Sequence, residues 1–337
     1  MHTIATAHPE YEITVLLRKT PSNFSSTYPN IKVVEGDYDN FEVISNNAFA
    51  SEIVVHNGSS DHEPSLNAIL AGLLKRPTPG YLLHLSGTGI VSDWAQTKHL
   101  GKLNPKVWSD VSSLDEIRSL PATALHRNTE IILHDAIRDH GDNVNIAIMC
   151  PPDIYGKGKG PARTQSALVP IFVHQVLNHL GGRVFHHGQG TNTRSWVHID
   201  DLTRLYLRVV EAAAAAATTT ISDDEDEDEA RTAAAQVFNG NGYFFAGTQE
   251  HSHIEVARAV GRILHEKGLI ADPSPVQKSL EDLDELLEEH RFGGLARYLF
   301  ASNSRTRAER AEALFGYASE TPGLMECLEG DVLAAVG

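Results

Sequence analysis

Five short apolar runs, ITVLLR, IKVVEGD, SEIVVHNG, YLLHLSGTG and VNIAIMCPP, alternate through the first 155 residues with stretches whose apolar positions recur at helical spacing. Strands this uniformly apolar are buried on both faces, so the alternation predicts an α/β fold, a doubly wound parallel sheet covered by helices on both sides. Helices are predicted over 64–75 and, entered from Pro121, over 125–140. Each run closes on small or polar residues, the end at which open α/β sheets hold their ligands. The first eight residues read as the last turns of a helix, so the central strand of such a sheet, with its glycine-rich turn, is expected upstream of Met1. A missing upstream exon or a miscalled start accounts for that most simply.

The pattern after residue 155 is more irregular. Residues 156–163 (GKGKGPAR) form a glycine-rich loop, and ALVPIFVHQVLNHL is an apolar helix. The stretch from Gly182 reads as a short hairpin followed by a helix starting near Asp200, where Asp200 and Asp201 suit a helix N-terminus. VFNGNGYFFAG resumes a strand, SHIEVARAVGRILHEKG is an amphipathic helix ending at Gly268, and LEDLDELLEEH is a helix with a charged face. A nucleotide-binding region over 1–155 and a smaller irregular α/β substrate-binding region over 156–320, interleaved with the last sheet strands, are therefore expected.

Charge changes this picture at one place. The formal net charge is −16, and seven acids stand consecutively from Asp223 to Glu229; without their seven charges the chain carries −9. This block follows an alanine tract, cannot bury apolar surface, and is predicted to be a disordered acidic insert over 218–229. The acidic balance argues against nucleic acid as a partner. Cys150 and Cys327 are the only two cysteines, which favours a reducing compartment and a cytoplasmic address. No apolar run approaches the ~20 residues needed to span a bilayer. The paired histidines His186–His187 and His251 with His253 lack the acid or cysteine pattern of a metal site.

Candidate chemistry gathers at the strand ends. Arg18 and Lys19 follow the first run, where a guanidinium accommodates a 2′-phosphate, so the pair leans toward NADP; a solvated loop gives the same residues. Asp37 and Tyr38 follow the second run and suit an adenine edge and face. Asn57 and Gly58 follow the third, where glycine admits close backbone approach, and both pairs equally suit turns. Ser86 and Thr88, with glycines between and after them, place hydroxyls at the sheet rim, where one can hydrogen-bond a carbonyl oxygen.

The strand ends VVHNGS and LLHLSGTG, then IAIMCPPDIYGKG, TRSWVHIDDL and VFNGNGYFFAGTQEHSHIEVARAVGRIL, occur in an order similar to that of the extended and atypical short-chain dehydrogenases/reductases, the NAD(P)-dependent epimerase/dehydratase-like group. The resemblance covers residues 2 to about 317, the acidic insert excepted, and implies a Rossmann-like fold, a small-molecule substrate and often a homodimer. It also assigns Thr88 to the hydroxyl that polarises the substrate carbonyl, Ser86 to the cofactor's vicinity, Pro151 and Pro152 to the nicotinamide cradle, and Arg194 to a substrate phosphate. Pairing of Arg194 with an acid of the following helix is the alternative.

The chain departs from the family pattern in two respects. The Gly-x-x-Gly-x-x-Gly turn falls before residue 1, which implies impaired dinucleotide binding. The Tyr-x-x-x-Lys pair falls on HRNTE, with His126 in the tyrosine place and Glu130 in the lysine place, and no tyrosine occurs between Ser86 and Cys150. His126 and Glu130 are then either a replacement acid/base dyad or a solvated i,i+4 pair. The function expected is an NAD(P)-linked oxidoreductase of carbonyls or alcohols. A non-catalytic NAD(P)-binding regulatory protein and a sugar-nucleotide epimerase or dehydratase are the alternatives.

Overall fold

Four parallel strands hold the centre of the molecule, and a separate parallel pair stands beside them. A computed structural model describes residues 1–219, 235–287 and 292–336. In chain order, helix α1 (His2–Ala7) leads to β1 (Thr14–Leu17), β2 (Lys32–Glu35), α2 (Phe41–Ala50), β3 (Ile53–His56), α3 (Glu63–Leu73) and β4 (Gly80–Leu85). The long helix α4 (Arg127–His140) precedes β5 (Val144–Cys150) and the short β6 (Asp153–Tyr155). Then come β7 (Thr193–His198), α5 (Ile199–Thr219), β8 (Tyr243–Phe245), β9 (Gln249–Ser252), α6 (His253–Glu266) and the short helix α7 (Leu295–Phe300).

The main sheet has the order β8–β5–β4–β3, parallel throughout. Strand β1 pairs with β2 alone, in parallel, from Thr14↔Lys32 to Leu17↔Glu35. A cavity of about 640 Å³ lies between the two pieces, walled by Thr14–Leu17 on one side and by Ile53–His56 on the other. The parallel α/β expectation therefore holds, with the sheet in two parts.

Burial explains the layers. Leu66, Ile69, Leu70 and Leu73 of α3 and Leu133 of α4 pack on one face of the sheet, against Leu82, Ile146 and Ile148. Leu205, Val209 and Ala213 of α5 cover the other face, against Leu83, Ala147 and Phe244. A third cluster, around Phe172, Phe185, Trp196 and Phe300, belongs to the second half and includes Val256, Val260 and Leu264 of α6. Helix α3 opens where His62 accepts the Ser65 amide and Pro64 occupies the first turn. Helix α6 opens with a reciprocal Ser252–Glu255 capping box and is followed by Gly268 at φ +71.

Two expectations need correction. The predicted hairpin does not form: Phe185–His187 pairs in parallel with Val276–Lys278, whereas β7 lies between β9 and β6. Gly188 and Gly190, both at positive φ, turn the chain away so that the two strands enter different sheets. Asp200 and Asp201 lie in the first turn of α5 as expected, and Asp201 is also fully buried and accepts hydroxyls from Ser319 and Thr321. Thr218 and Thr219 end α5 as helix, and the remainder of the acidic segment, 220–229, lies outside the described residues.

Gly72 tests the α2–α3 contact. A Cβ there would stand 2.2 Å from the Ser45 carbonyl oxygen and 2.8 Å from the Ala48 Cβ. Alanine gains about 1 kcal/mol of helix propensity over glycine, whereas overpacking two rigid backbones costs about 1–3 kcal/mol. Gly72→Ala should therefore destabilise the protein in urea unfolding, and a stabilised variant would contradict this packing.

Candidate active site

The C-terminal end of β4 turns sharply through Ser86, Gly87, Thr88 and Gly89. The turn is tied to the end of β5, since the Ser86 amide donates to the Met149 carbonyl and the Thr88 amide to that of Pro151. A second tie comes from Ser304, whose hydroxyl donates to the Thr88 carbonyl at 2.7 Å. Thr88 is buried with both backbone groups engaged, and its own hydroxyl has no hydrogen-bond partner among the described residues. Pro151 and Pro152 are buried behind this turn, and the Pro151 carbonyl supports it.

His126 and Glu130 form neither a dyad nor a solvated pair. His126 is the residue before α4, in the left-handed region at φ 64, so its side chain does not follow the i,i+4 geometry of the helix. Its Nδ1 meets Asp61 Oδ1 at 2.9 Å, and its Nε2 lies against the turn, where Cβ atoms on Gly87 and Gly89 would come within 3.0 and 2.9 Å of it. Glycine at both positions is what lets the ring sit there. Partial burial pushes the Asp61 carboxyl up, but the hydrogen bond and charge of His126 outweigh this and hold it below its ordinary value.

Glu130 faces the opposite way. It is completely buried, and its Oε1 accepts the Ser86 hydroxyl at 2.6 Å and the Tyr243 hydroxyl at 3.0 Å. Burial pushes its carboxyl pKa up against those hydrogen bonds. Oε2 has no hydrogen bond, and Arg127 and His134 stand 4.0 and 3.9 Å from it. Ser86 therefore spends its hydroxyl on a core cluster, leaving Thr88 as the open hydroxyl of the turn.

Arg194 is committed internally as well. Its Nε donates to Asp153 Oδ2 at 2.5 Å, and its Nη1 donates to the Tyr298 carbonyl at 2.9 Å and to the Ser302 hydroxyl at 3.0 Å. Only 4% of Arg194 is exposed, and its guanidinium stacks 4.6 Å over the Tyr298 ring. The predicted alternative partner, an acid of the following helix, is replaced by Asp153 on the adjacent strand, because β6 and β7 pair in parallel. Phosphate binding by Arg194 would require breaking that pair.

The remaining candidate residues fall into two groups. Lys19, Tyr38, Asn57 and Gly58 line the 640 Å³ cavity, and Arg18 and Asp37 are exposed at its margin in sequence. The space beside Gly58 is used by Tyr38, whose hydroxyl would stand 1.7 Å from a Cβ there. Asp37 caps its own turn, its Oδ1 accepting the Asp39 amide at 3.0 Å.

A histidine chain runs under this rim and was not foreseen. His62 contacts Asp39 at 3.2 Å and Ser65 at 3.1 Å, Ser65 contacts His56 at 3.1 Å, and His56 meets His84 at 3.0 Å. Strand pairing sets the last contact, since His56 and His84 are direct neighbours on β3 and β4. The sequence signal available was a histidine ending one strand and another near the end of the next.

Comparison with known proteins agrees with this framework. Residues 124–221 match the model of the NAD dependent epimerase/dehydratase family. The chain is 27% identical over 335 residues to the oxidase ucsJ of Acremonium sp, covering 98% of this chain and 91% of the relative. It is 23% identical over 228 residues to a dTDP-glucose 4,6-dehydratase of Mycobacterium tuberculosis, covering 63% and 64% of the two chains. The fold matches that of the dTDP-glucose 4,6-dehydratase DesIV from Streptomyces venezuelae with NAD and TYD bound, at a TM-score of 0.61 and 17% identity, covering 98% of this chain and 90% of that one. The dTDP-glucose 4,6-dehydratase of Bacillus anthracis in complex with NAD matches with a TM-score of 0.59 at 14% identity, covering the same shares. The architecture is thus Rossmann-like. No helix among the described residues is long and apolar enough to cross a membrane.

Two outcomes test this geometry. Breaking the buried ion pair from either side, with Arg194→Ala or Asp153→Ala, should cost about 3–5 kcal/mol, with the double variant well short of the sum. Additive losses in urea unfolding would deny the pairing. The second outcome concerns pH. Burial pushes the pKa of His56 down to about 4 and that of His84 to about 3, from an ordinary 6.5. Below pH 6.5 the unfolded chain therefore binds more protons than the folded one, and the stability present at neutral pH drains away as pH falls toward 4. A loss of about 3–4 kcal/mol between pH 7 and pH 5 is expected from the two histidines together. The slope should flatten in a His56→Asn/His84→Asn variant, and an unchanged slope would show that other groups control it.

Proposed function

We propose, on the premise that this chain is a member of the NAD dependent epimerase/dehydratase family by its segment 124–221 and has a Rossmann-like fold, that it is an NAD(P)-linked oxidoreductase acting on a carbonyl or the corresponding alcohol. The observation that carries this reading is the placement of His126 Nε2 against the Gly87–Thr88–Gly89 turn, with Asp61 on its other nitrogen. Asp61 favours the tautomer with hydrogen on Nδ1, leaving Nε2 free to exchange a proton at the turn. The open Thr88 hydroxyl stands at the same turn, where it would hydrogen-bond the substrate oxygen.

The residues fit the adenosine half of a dinucleotide. Tyr38 offers a ring, Asn57 an amide and Lys19 a cation at one rim of a cavity whose volume is in the range of ligand sites. Arg18 and Lys19 together favour NADP, while the relatives' own structures hold NAD. The cofactor, when bound, supplies or accepts the hydride. Thr88 orients the carbonyl and His126 manages the proton.

A sugar-nucleotide epimerase or dehydratase is the second reading, favoured by the dehydratase relatives. With Arg194 held by Asp153, the substrate phosphates would have to be met by other residues.

Thermal-shift titration with NADPH and NADH, followed by turnover of a panel of aldehydes and ketones, tests the first reading. Stabilisation by one dinucleotide and steady oxidation of it are expected. His126→Ala should lower kcat/KM about 100-fold, and Asp61→Asn about 10-fold through loss of the orienting bond. Absence of both dinucleotide binding and turnover would end the reading.

A further inference from the structure

A second proton-bearing group reaches the Gly87–Thr88–Gly89 turn, from a part of the chain far away in sequence. Tyr298 stands on α7, and its hydroxyl lies 3.0 Å from the point where a Gly89 Cβ would be, beside the 2.9 Å approach of His126 Nε2 to the same point. Two polar atoms from distant parts of the chain thus pack against the same glycine, where a side chain would collide with both. The tyrosine is fixed from behind, since Arg194 stacks over its ring, donates to its carbonyl and is anchored by Asp153. Ser302 closes the arrangement by donating to the same carbonyl at 2.6 Å. Gly294, at φ 94 before the first turn of α7, brings the helix in beside Trp94.

We propose that Tyr298 is a catalytic residue, the immediate proton donor to the substrate oxygen, with His126 restoring its proton and Arg194 steadying the phenolate. This rests on the oxidoreductase reading above. In the reducing direction a bound reduced nicotinamide would supply the hydride to the carbonyl carbon, becoming oxidised, and the carbonyl π pair would move onto oxygen. That oxygen takes the Tyr298 proton to give the alcohol. The phenolate left behind lies under the Arg194 guanidinium and recovers a proton from the His126 imidazolium, which is recharged from solvent past the half-exposed Asp61.

The charged and titratable groups facing Tyr298 are Arg194 and Asp153 of the second half, Asp61 of the loop before α3, and His126 before α4. Burial is the main influence and raises the phenol pKa, Asp153 and Asp61 raise it further, and Arg194 opposes them. The phenol is thus protonated at neutral pH, as a donor must be.

Steady-state kinetics of the full chain with its preferred dinucleotide and the best aldehyde or ketone test the assignment. Tyr298→Phe keeps the ring and its stacking on Arg194, so kcat should fall at least 100-fold, with KM and dinucleotide affinity within about threefold of the native values. Tyr298→3-fluorotyrosine, whose phenol is more acidic, should stay active and move the alkaline limb of the kcat profile to lower pH. That shift is one a purely structural tyrosine would not produce, and it serves also if the phenylalanine variant folds poorly. If the native chain turns over but both variants retain its kcat and pH profile, the assignment to Tyr298 fails and the oxidoreductase reading survives on His126. If the native chain neither binds a dinucleotide nor turns over, both fall together.

Discussion

The buried pair of Arg194 and Asp153 is the contact on which the site's geometry depends. Arg194 is on β7 and Asp153 on the adjoining β6, so the pair locks two strands of the second sheet. Arg194 Nη1 then reaches α7 at the Tyr298 carbonyl and the segment that follows it at the Ser302 hydroxyl. That segment runs along β7, with Ser195 and Ser304 joined through backbone groups, and it delivers the Ser304 hydroxyl to the Thr88 carbonyl. Asn303 is gripped by Asp93 on the other side, at 2.7 Å through its amide. A buried ion pair contributes little net stability over a hydrophobic replacement, but it tolerates few alternative geometries. Here that selectivity fixes the position of residues 298–304, and through them the turn at the end of β4.

The divided sheet constrains the molecule differently. Strands β1 and β3 face each other across the cavity with no hydrogen bond between them, so the β1–β2 pair is attached chiefly through side chains and through α1, which packs on α5. Most of the lining is apolar strand surface, with Lys19, Asn57, Lys159 and Arg163 among its polar members. Asp200 also lines the cavity and accepts from Lys159 at 3.0 Å, so the cationic members are partly neutralised in place. The site residues at the β4 turn do not rely on this region for support, because they are held by β5, β7 and the 298–304 segment.

How much could be read from the sequence follows from how local each feature is. The strands and helices of the first half were legible because burial on both faces writes continuous apolar runs, and α3, α4 and α6 lie within two residues of their predicted starts. The end of β4 just before Ser86 and Thr88 was legible for the same reason. Their partners were not. Asp61, Asp153 and Tyr298 lie 65, 41 and 104 residues from the groups they serve, and nothing in the local pattern marks a carboxylate that will meet a distant cation. The His126–Glu130 expectation failed for a backbone reason: a residue in the left-handed region is outside the helix, and the i,i+4 relation presupposes helical geometry at both ends. The hairpin expectation failed because two short apolar runs joined by glycines look alike whether they pair with each other or with separate partners.

The division of labour between the two hydroxyls of the turn follows from depth. Ser86, below Gly87, meets a carboxyl that burial keeps from charging readily, and both of its roles, amide and hydroxyl, go to the core. Thr88, two residues on, has its backbone tied down and its hydroxyl uncommitted. Glu130 could serve proton chemistry only by leaving Ser86 and Tyr243, which would strand two buried hydroxyls at about 1–3 kcal/mol each. His126 gives up nothing comparable, since its Asp61 contact orients the ring and leaves Nε2 at the turn. The position that the family resemblance aligns with a lysine thus belongs to the core, while the His126 ring stands beside the glycines of the same turn.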